Sequence, residues 1–365
     1  MALLPDGVGE GNVTAMSGAA AGKASAGKAT APTAEAAAAK TDDSSPAAAV
    51  PQSGSSGAVV QRALTSNGLT VTKITPGERT SDGPALIRAG RQIGQDPRLA
   101  AQPDPELYRQ TKYGKLPVRG PDGARPMDVY ARPSSGGNGT RIAIVVGGLG
   151  LSQTGTMNAI EALPAGVTLA FAATGNSLER WMQAARRGGH EILLQVPMEP
   201  FGYPSTNPGP HTLTVGEGKA KELDDLHHAM GRITNYTGIM NYMGGRLLAD
   251  ADAIAPVLND VRERGLLFLD DGSAAQSLTP KLAPSLKTPY AVADVRLDGN
   301  VEAGAILTKL NELEQIARRN GTAIGVASAF DVSVETIAAW ASEAKSRGIE
   351  IVGVASLADD PERKD

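Results

Sequence analysis

The sequence predicts an irregular (β/α) barrel of seven or eight parallel strands across residues 141–357, preceded by a disordered arm. Two observations predict this fold. From Arg141 onward, short β-rich runs alternate with longer helical runs, which is the pattern of a parallel sheet with helical crossovers. The apolar runs are nearly continuous, as in RIAIVV and GLLFLD, which is typical of strands buried on both faces.

Eight strands are expected, at residues 141–146, 167–172, 190–196, 237–241, 266–270, 290–297, 323–328 and 350–355. The runs between them repeat apolar residues with the period of a helix packed on a core, as in 178–185. Gly265, Gly321 and Gly348 follow the last turn of three predicted helices, where a left-handed residue ends a helix. Because an open sheet carries fewer such units, their number favours a closed barrel with its site at the carboxyl ends of the strands.

The first 140 residues differ in composition from the rest. Residues 1–60 are dominated by Ala, Gly, Ser, Thr and Pro and lack the large apolar side chains that offset ordering entropy, so they are predicted to be disordered. Residues 61–140 are rich in turn formers and are predicted as an extended, mostly irregular arm without a core of its own. Residues 358–365 are predicted as a charged tail.

Charge and composition exclude several classes of function. The formal net charge of -4 leaves no basic excess for a phosphate backbone, so nucleic acid is not an expected partner. The absence of cysteine excludes disulfides and thiolate metal sites. The sequence as given has neither a secretory signal at its start nor an apolar run of about 18 residues, so it predicts no export signal and no transmembrane segment.

Polar residues lie after several predicted strands, namely Glu199, Asn241, Arg246, Asp270, Asp271 and Asp298. Such carboxylates could hold a hard cation through oxygen ligands or hydrogen-bond the hydroxyls of a sugar. The competing structural interpretation is that Arg246 pairs with Asp270 or Asp271 and that Asn241 ties down a loop.

Four segments at this face carry a resemblance to a known family. They are GGLG after the first strand, QVPMEP after the third, NYMGGR after the fourth and DDGS after the fifth. With the longer phrases GHEILLQVPMEP, YPSTNPGPHTL, GIMNYMGGR and RGLLFLDDGS, they resemble the divergent polysaccharide deacetylase family, a branch of the metal-dependent carbohydrate esterases. The resemblance covers residues 141–357 and implies a role in carbohydrate metabolism, with a glycan or envelope protein as partner, in the periplasm or cell envelope.

The same resemblance identifies positions where metal ligands are missing. The family typically has two aspartates after the first strand, a histidine before PMEP and a histidine in the NYMGG phrase. The matching residues here are Gly147 and Gly148, Gln195, and Tyr242. Since zinc requires about three His, Asp or Glu ligands, Gly148, Gln195 and Tyr242 are predicted to mark a vacated metal site, with no cofactor expected.

Two classes of function therefore stay open. In the first, a barrel with a degenerate metal site binds a glycan or a partner protein without turnover. In the second, the protein is an active hydrolase that cleaves the amide bond of N-acetyl groups on an envelope glycan. Its site would be rebuilt from Asp270, Asp271 and Glu199 as catalytic residues, and only this alternative requires zinc or another divalent metal.

Candidate substrate-binding residues are Asn241, Arg246, Phe201 and Tyr203. Phe201 and Tyr203 belong to a long, proline-rich loop over residues 197–212, and their rings offer flat faces for a sugar or a partner.

The glycines and histidines also have structural interpretations. Gly147 and Gly148 allow a tight turn and close backbone approach, and GGLGLS fits neither the dinucleotide nor the P-loop spacing. His190 lies at the start of the third strand, the end associated with stability, and is interpreted as structural. The spacings of the other histidines, His211, His227 and His228, do not converge on one metal.

Overall fold

The computed structural model describes residues 58–64, 70–76, 99–135, 139–216 and 218–363, the first two ranges by their backbone alone. It divides into two units, residues 1–85 and 86–365. In the first unit, β1 (Ala58–Leu64) and β2 (Thr70–Pro76) form an antiparallel hairpin. Apart from residues 58–60, which begin β1, the segment predicted to be disordered lies outside the described residues.

The described part of the predicted arm, in the second unit, contains short elements and buried side chains. Strands β3 (Tyr108–Thr111) and β4 (Gly114–Pro117) form a hairpin, and α1 (Pro126–Val129) is a single turn. Leu116 of β4 and Met127 of α1 are buried in the apolar clusters of the barrel. This part of the arm therefore contributes side chains to the core of the domain.

The barrel is built from parallel strands that match the predicted positions closely. They are β5 (Thr140–Leu149), β6 (Thr168–Ala172), β7 (Ile192–Met198), β8 (Gly238–Met243), β9 (Leu267–Asp270), β10 (Tyr290–Val292), β11 (Val295–Arg296), β12 (Thr322–Ser328) and β13 (Ile349–Ile351). The order across the sheet is β10-β9-β8-β7-β6-β5-β12-β11, and β13 pairs with the first residues of β5. The predicted irregular α/β barrel of parallel strands is confirmed.

One predicted strand, 290–297, is two short strands in the structure. Its first half, β10, pairs with β9, and its second half, β11, pairs with β12 at the opposite edge of the sheet. Only Ala293 and Asp294 separate the two halves, so the sheet must curl until its edges meet at this point. Asp294 joins them, because its backbone N–H donates to Ile324 O and its carboxylate accepts from Ile324 N, both at 2.8 Å.

Among the residues that the structure describes, seven further helices cover the outside of the curled sheet. They are α2 (Gln153–Ala162), α3 (Leu178–Arg187), α4 (Lys219–Met230), α5 (Ala251–Glu263), α6 (Thr279–Ser285), α7 (Ala303–Asn320) and α8 (Asp331–Ala344). As predicted, Gly265, Gly321 and Gly348 adopt left-handed φ values of 70°, 84° and 77° after helical segments. Among the residues that the structure describes, no helix has both the length and the apolarity to cross a bilayer.

The core has two parts, one on each face of the sheet. Along β5, Ile142, Ile144 and Val146 belong to the large cluster shared with the helices, whereas Ala143 and Val145 belong to a smaller cluster on the inner face. This alternation follows from the two-residue period of a strand. The continuous apolar runs of the sequence are thus explained by burial on both faces.

Part of the predicted charged tail packs against the barrel. Asp360 is buried, and its carboxylate accepts two hydrogen bonds from Arg125 at 2.9 and 2.6 Å. The chain end is thereby tied to the arm.

Candidate functional site

A cavity of about 480 Å³ lies at the carboxyl ends of the barrel strands. This is the face at which parallel α/β barrels hold their ligands. Its lining residues come from the ends of β7, β8, β11 and β12 and from the loops that follow β7, β8, β9, β11 and β12: Gln195, Pro200, Phe201, Met240, Tyr242, Met243, Gly245, Asp271, Ser273, Arg296, Asp298, Val326, Ala327, Ser328 and Phe330.

The glycines at the end of β5 are packed against Gln195 of β7. A Cβ atom on Gly147 would lie 3.0 Å from Gln195 Nε2, closer than ordinary side-chain contact. Gly148 N donates to Gln195 Oε1 at 2.9 Å, and Gly148 has a φ of 79°, which disfavours other residues. Gln195 therefore occupies the space beside the two glycines. This agrees with the interpretation that glycine at this turn allows other groups to approach the backbone closely.

The three positions predicted to mark a vacated metal site lie together in the structure. Gly148 is hydrogen-bonded to Gln195, and Gln195 and Tyr242 line the same cavity. The parallel register of β7 and β8 places Tyr242 opposite Pro197. Its side chain is 40% exposed, so the ring faces the cavity and solvent rather than the core.

Of the three candidate catalytic carboxylates, only Asp271 lines the cavity. Asp270 is buried, and its two oxygens accept hydrogen bonds from Gly272 N at 3.0 Å and from Ser277 Oγ at 2.5 Å. Asp271 Oδ1 accepts from Asn241 Nδ2 at 2.8 Å and also from the backbone and hydroxyl of Ser273. Asp270 thus has both oxygens occupied within its own loop.

Glu199 and Arg246 form an ion pair and are not themselves part of the cavity lining. Arg246 Nη1 lies 2.6 Å from Glu199 Oε1, and Val215 N donates to Glu199 Oε2 at 2.6 Å. The expected pairing of Arg246 with Asp270 or Asp271 is therefore wrong. Glu199 instead joins the proline-rich loop to the loop after β8, because its backbone oxygen also accepts from Arg246 N.

Asn241 connects two strand ends, as the structural interpretation predicted. It is fully buried, and its Nδ2 donates to Met243 O at 2.7 Å and to Asp271 Oδ1 at 2.8 Å. In return, Asp271 N donates to Asn241 Oδ1 at 2.8 Å. Asn241 therefore fixes the position of Asp271 and does not itself line the cavity.

Exposed aromatic rings stand at the cavity. The chain has four phenylalanines; Phe171 and Phe268 are buried in the core, whereas Phe201 and Phe330 are 67% and 51% exposed and line the cavity. Tyr203, in contrast, is half-buried and is not part of the lining. An exposed phenylalanine is unusual enough that two at one cavity indicate a binding surface.

Sequence reasoning missed two of the residues that face the cavity. Phe330 follows β12 directly in the stretch VASAFD, where an apolar residue after a predicted strand is the available signal. Arg296 lies at the end of β11 and is 56% exposed along its side chain. Arg296 and Asp298 are two residues apart, on either side of buried Leu297. In an extended segment this spacing indicates that both side chains point to the same face.

Asp298 is the most deeply buried charged group at the cavity. Its Oδ2 accepts from Ser328 N at 2.5 Å and from Ser333 Oγ at 3.3 Å. Its Oδ1 is buried and has no hydrogen-bond donor among the described residues.

His190 lies at the opposite, amino end of β7. Burial lowers the pKa of its imidazole, more than its hydrogen bonds to backbone oxygens raise it. Its Nδ1 lies 2.9 Å from Val167 O, so a neutral ring that donates to this carbonyl fits the site. His211 and His227 have carboxylate partners in Asp225 and Asp260, at 2.9 and 3.1 Å.

Comparison with known proteins decides the family. Residues 144–358 match the family described as divergent polysaccharide deacetylase. The chain belongs to this family.

Its relatives include a protein of known structure. An uncharacterized protein from Agrobacterium tumefaciens C58 is 64% identical, with a TM-score of 0.66, and the match covers 67% of this chain and 99% of that one. An uncharacterized Haemophilus influenzae protein is 24% identical over 187 residues, which are 51% of this chain and 66% of the relative. YibQ of Escherichia coli K12, also uncharacterized, is 22% identical over 198 residues, 54% of this chain and 61% of YibQ. The matches thus span less than two thirds of these two relatives.

The residues at the cavity of this deacetylase-family chain do not fit a zinc ion. Zinc prefers imidazole, carboxylate or thiolate ligands, and glycine, glutamine and tyrosine stand at the matching positions. Within the ranges that the structure describes, no three His, Asp or Glu side chains lie close enough to hold a metal together.

Proposed function

We propose that this chain binds a cell-envelope glycan in the cavity without hydrolysing it. One observation carries the proposal: Gln195 fills the space beside Gly147 and Gly148 and presents an amide where a metal ligand of the family is expected. An amide side chain donates and accepts hydrogen bonds to sugar groups but is a poor zinc ligand. By family resemblance, the protein acts in the periplasm or cell envelope.

The lining of the cavity suits a sugar. Phe201, Tyr242 and Phe330 supply exposed rings, and Asp271 and Arg296 supply polar groups beside them. Binding sites for small ligands combine such flat apolar faces with a few polar groups that fix orientation.

The alternative of an active hydrolase with a rebuilt site has less support. It requires Asp270, Asp271 and Glu199 to act on one substrate, yet Asp270 and Glu199 have their carboxylate oxygens engaged by neighbouring protein groups. A general base must reach the proton that it removes. Of these three carboxylates, only Asp271 faces the cavity.

Co-sedimentation with purified bacterial peptidoglycan tests the proposal. We expect the natural protein to sediment with the glycan and the double variant Phe201→Ala, Phe330→Ala to lose most of this binding. Leu307→Ala is the matched control, because Leu307 is an apolar residue of α7 that is 45% exposed and lies outside the cavity lining. Equal sedimentation of all three proteins would contradict the proposal.

A further inference from the structure

We propose that the cavity prefers an amino sugar with a free, protonated amine to its N-acetylated form. This inference rests on the proposed glycan-binding function and names the chemical class of its ligand.

The carboxylate of Asp298 has one buried oxygen that receives no hydrogen bond from the described residues. Its side chain is 1% exposed, and Oδ1 has no donor among the described residues. Arg296 Nε lies 3.9 Å from Oδ1, which is beyond hydrogen-bonding distance. This oxygen is enclosed by protein, so a ligand in the cavity acts on it through its charge. A buried carboxylate oxygen without a donor favours a positively charged group nearby.

The lining of the cavity carries more negative than positive groups. Its ionisable lining groups are the carboxylates of Asp271 and Asp298, the guanidinium of Arg296 and the phenol of Tyr242. The two carboxylates exceed the single cation by one negative charge. Asp271 Oδ1 receives the protein's hydrogen bonds, whereas its Oδ2 receives none within the described ranges. Complementarity therefore favours a ligand with a positive charge.

An amine and an N-acetyl group differ in what they offer to these carboxylates. A sugar ammonium has three N–H donors and a charge, whereas an acetamide has one N–H and adds a carbonyl oxygen, which carboxylates repel. The exposed rings of Phe201, Tyr242 and Phe330 suit the C–H faces of a sugar and also attract a cation. Gln195 Nε2 remains as a donor for a sugar hydroxyl, since Oε1 is fixed by Gly148.

Isothermal titration calorimetry with two soluble probes tests this inference. The probes are the tetramer of glucosamine and the tetramer of N-acetylglucosamine, compared at a mildly acidic pH at which the amine is protonated. We expect the amine form to bind about tenfold more tightly, since replacing a neutral hydrogen bond by one to a charged group changes the dissociation constant by about this factor. We also expect its affinity alone to fall with added salt.

Asp298→Asn is the decisive variant, because it keeps the shape and removes the charge. This variant should lose the preference for the amine and keep its affinity for the N-acetylated probe. Asp252→Asn, an exposed residue of α5 outside the lining, controls for the loss of one negative charge and should keep the preference. Phe330→Ala should weaken both probes, and the amine form more, because the ring also attracts a cation. This variant tests the preference if Asp298→Asn does not fold.

The outcomes separate the two proposals. Equal or tighter binding of the N-acetylated tetramer overturns the amine preference and leaves glycan binding intact. No binding of either tetramer, together with no sedimentation with peptidoglycan, overturns both.

Discussion

The side chain of Gln195 packs against the two glycines at the end of β5, and this contact explains why a small residue stands at Gly147. The sequence raises the question of why a strand of a deacetylase barrel ends without the usual carboxylates. The structure answers it with contacts: the amide of Gln195 lies against Gly147 and accepts a hydrogen bond from Gly148. Gly147 leaves room for this amide, and Gly148 has a φ of 79° that disfavours other residues.

Replacing Gly148 by alanine tests the conformational part of this account. A Cβ at Gly148 has open space around it, with Leu151 Cδ1 4.0 Å away, but the φ of 79° is unfavourable for alanine. Gly148→Ala should therefore lower the free energy of unfolding by about 1–2 kcal/mol. Gly304→Ala is the control, because Gly304 lies in α7 with nothing near its Cβ position, and alanine there should stabilise the protein. Urea denaturation measures both, and equal effects would contradict the account.

His190 makes stability depend on pH near neutrality. Burial lowers the pKa of its imidazole in the folded state, so the unfolded chain binds the proton more readily. The free energy that neutral His190 contributes to folding is fully present above the ordinary histidine pKa of about 6.5. It is lost as the pH falls toward the lowered pKa of the folded state. Stability should thus decrease on acidification through this range. His190→Gln should reduce the slope, whereas His228→Gln, at a side chain 42% exposed, should not.

Urea titrations at several pH values from neutral to mildly acidic measure these slopes. If the natural protein and His190→Gln had the same pH dependence, the structural role assigned to a neutral His190 would be incorrect.

At the scale of the elements, the barrel closes where one short segment changes partner. Tyr290–Val292 pairs with β9, Val295–Arg296 pairs with β12, and Asp294 makes two hydrogen bonds to Ile324 between them. The cavity lies beside this junction, since Arg296 and Asp298 follow it directly. The junction therefore positions two of the charged groups of the site.

Removing the side chain of Asp294 should loosen this junction. Asp294→Ala should cost about 1 kcal/mol of stability, the usual worth of one hydrogen bond, and should speed exchange of the Ile324 amide hydrogen. Asp294→Asn retains an acceptor oxygen and should have a smaller effect on both. Amide exchange measured by NMR gives the local result, and an unchanged Ile324 exchange rate in Asp294→Ala would show that the side chain does not hold the edges together.

Local patterns predicted the strands, but not all of their partners. Apolar runs bounded by turns located the elements from β5 to β13 to within a few residues, because burial on both faces is visible in the sequence. The split of 290–297 was not visible, since the choice of partner strand depends on how far the whole sheet curls. In the same way, the ion pair of Arg246 with Glu199 depends on how two loops pack, and spacing along the chain does not reveal it.

At the scale of the whole molecule, the parallel barrel is retained, and glycine, glutamine and tyrosine stand at the positions where the family resemblance implies metal ligands. The strands bring Gly148, Gln195 and Tyr242 to one end of the barrel, where sequence alone placed them through strand order. What surrounds them is an amide, exposed aromatic rings and carboxylates. In the proposed function, these groups bind a sugar by hydrogen bonds and stacking, and glycine, glutamine and tyrosine are not the ligands that zinc prefers.

The central claim, glycan binding without metal-dependent hydrolysis, is tested most directly by elemental analysis of the purified protein together with a zinc titration and an assay of acetate release from N-acetylated glycans. Metal affinity arises from nitrogen, oxygen and sulfur ligands held in geometry, so we expect substoichiometric zinc, no tight binding in the titration, and no acetate release with or without added zinc. Stoichiometric, tightly bound zinc, or acetate release that a chelator abolishes and zinc restores, would contradict the account.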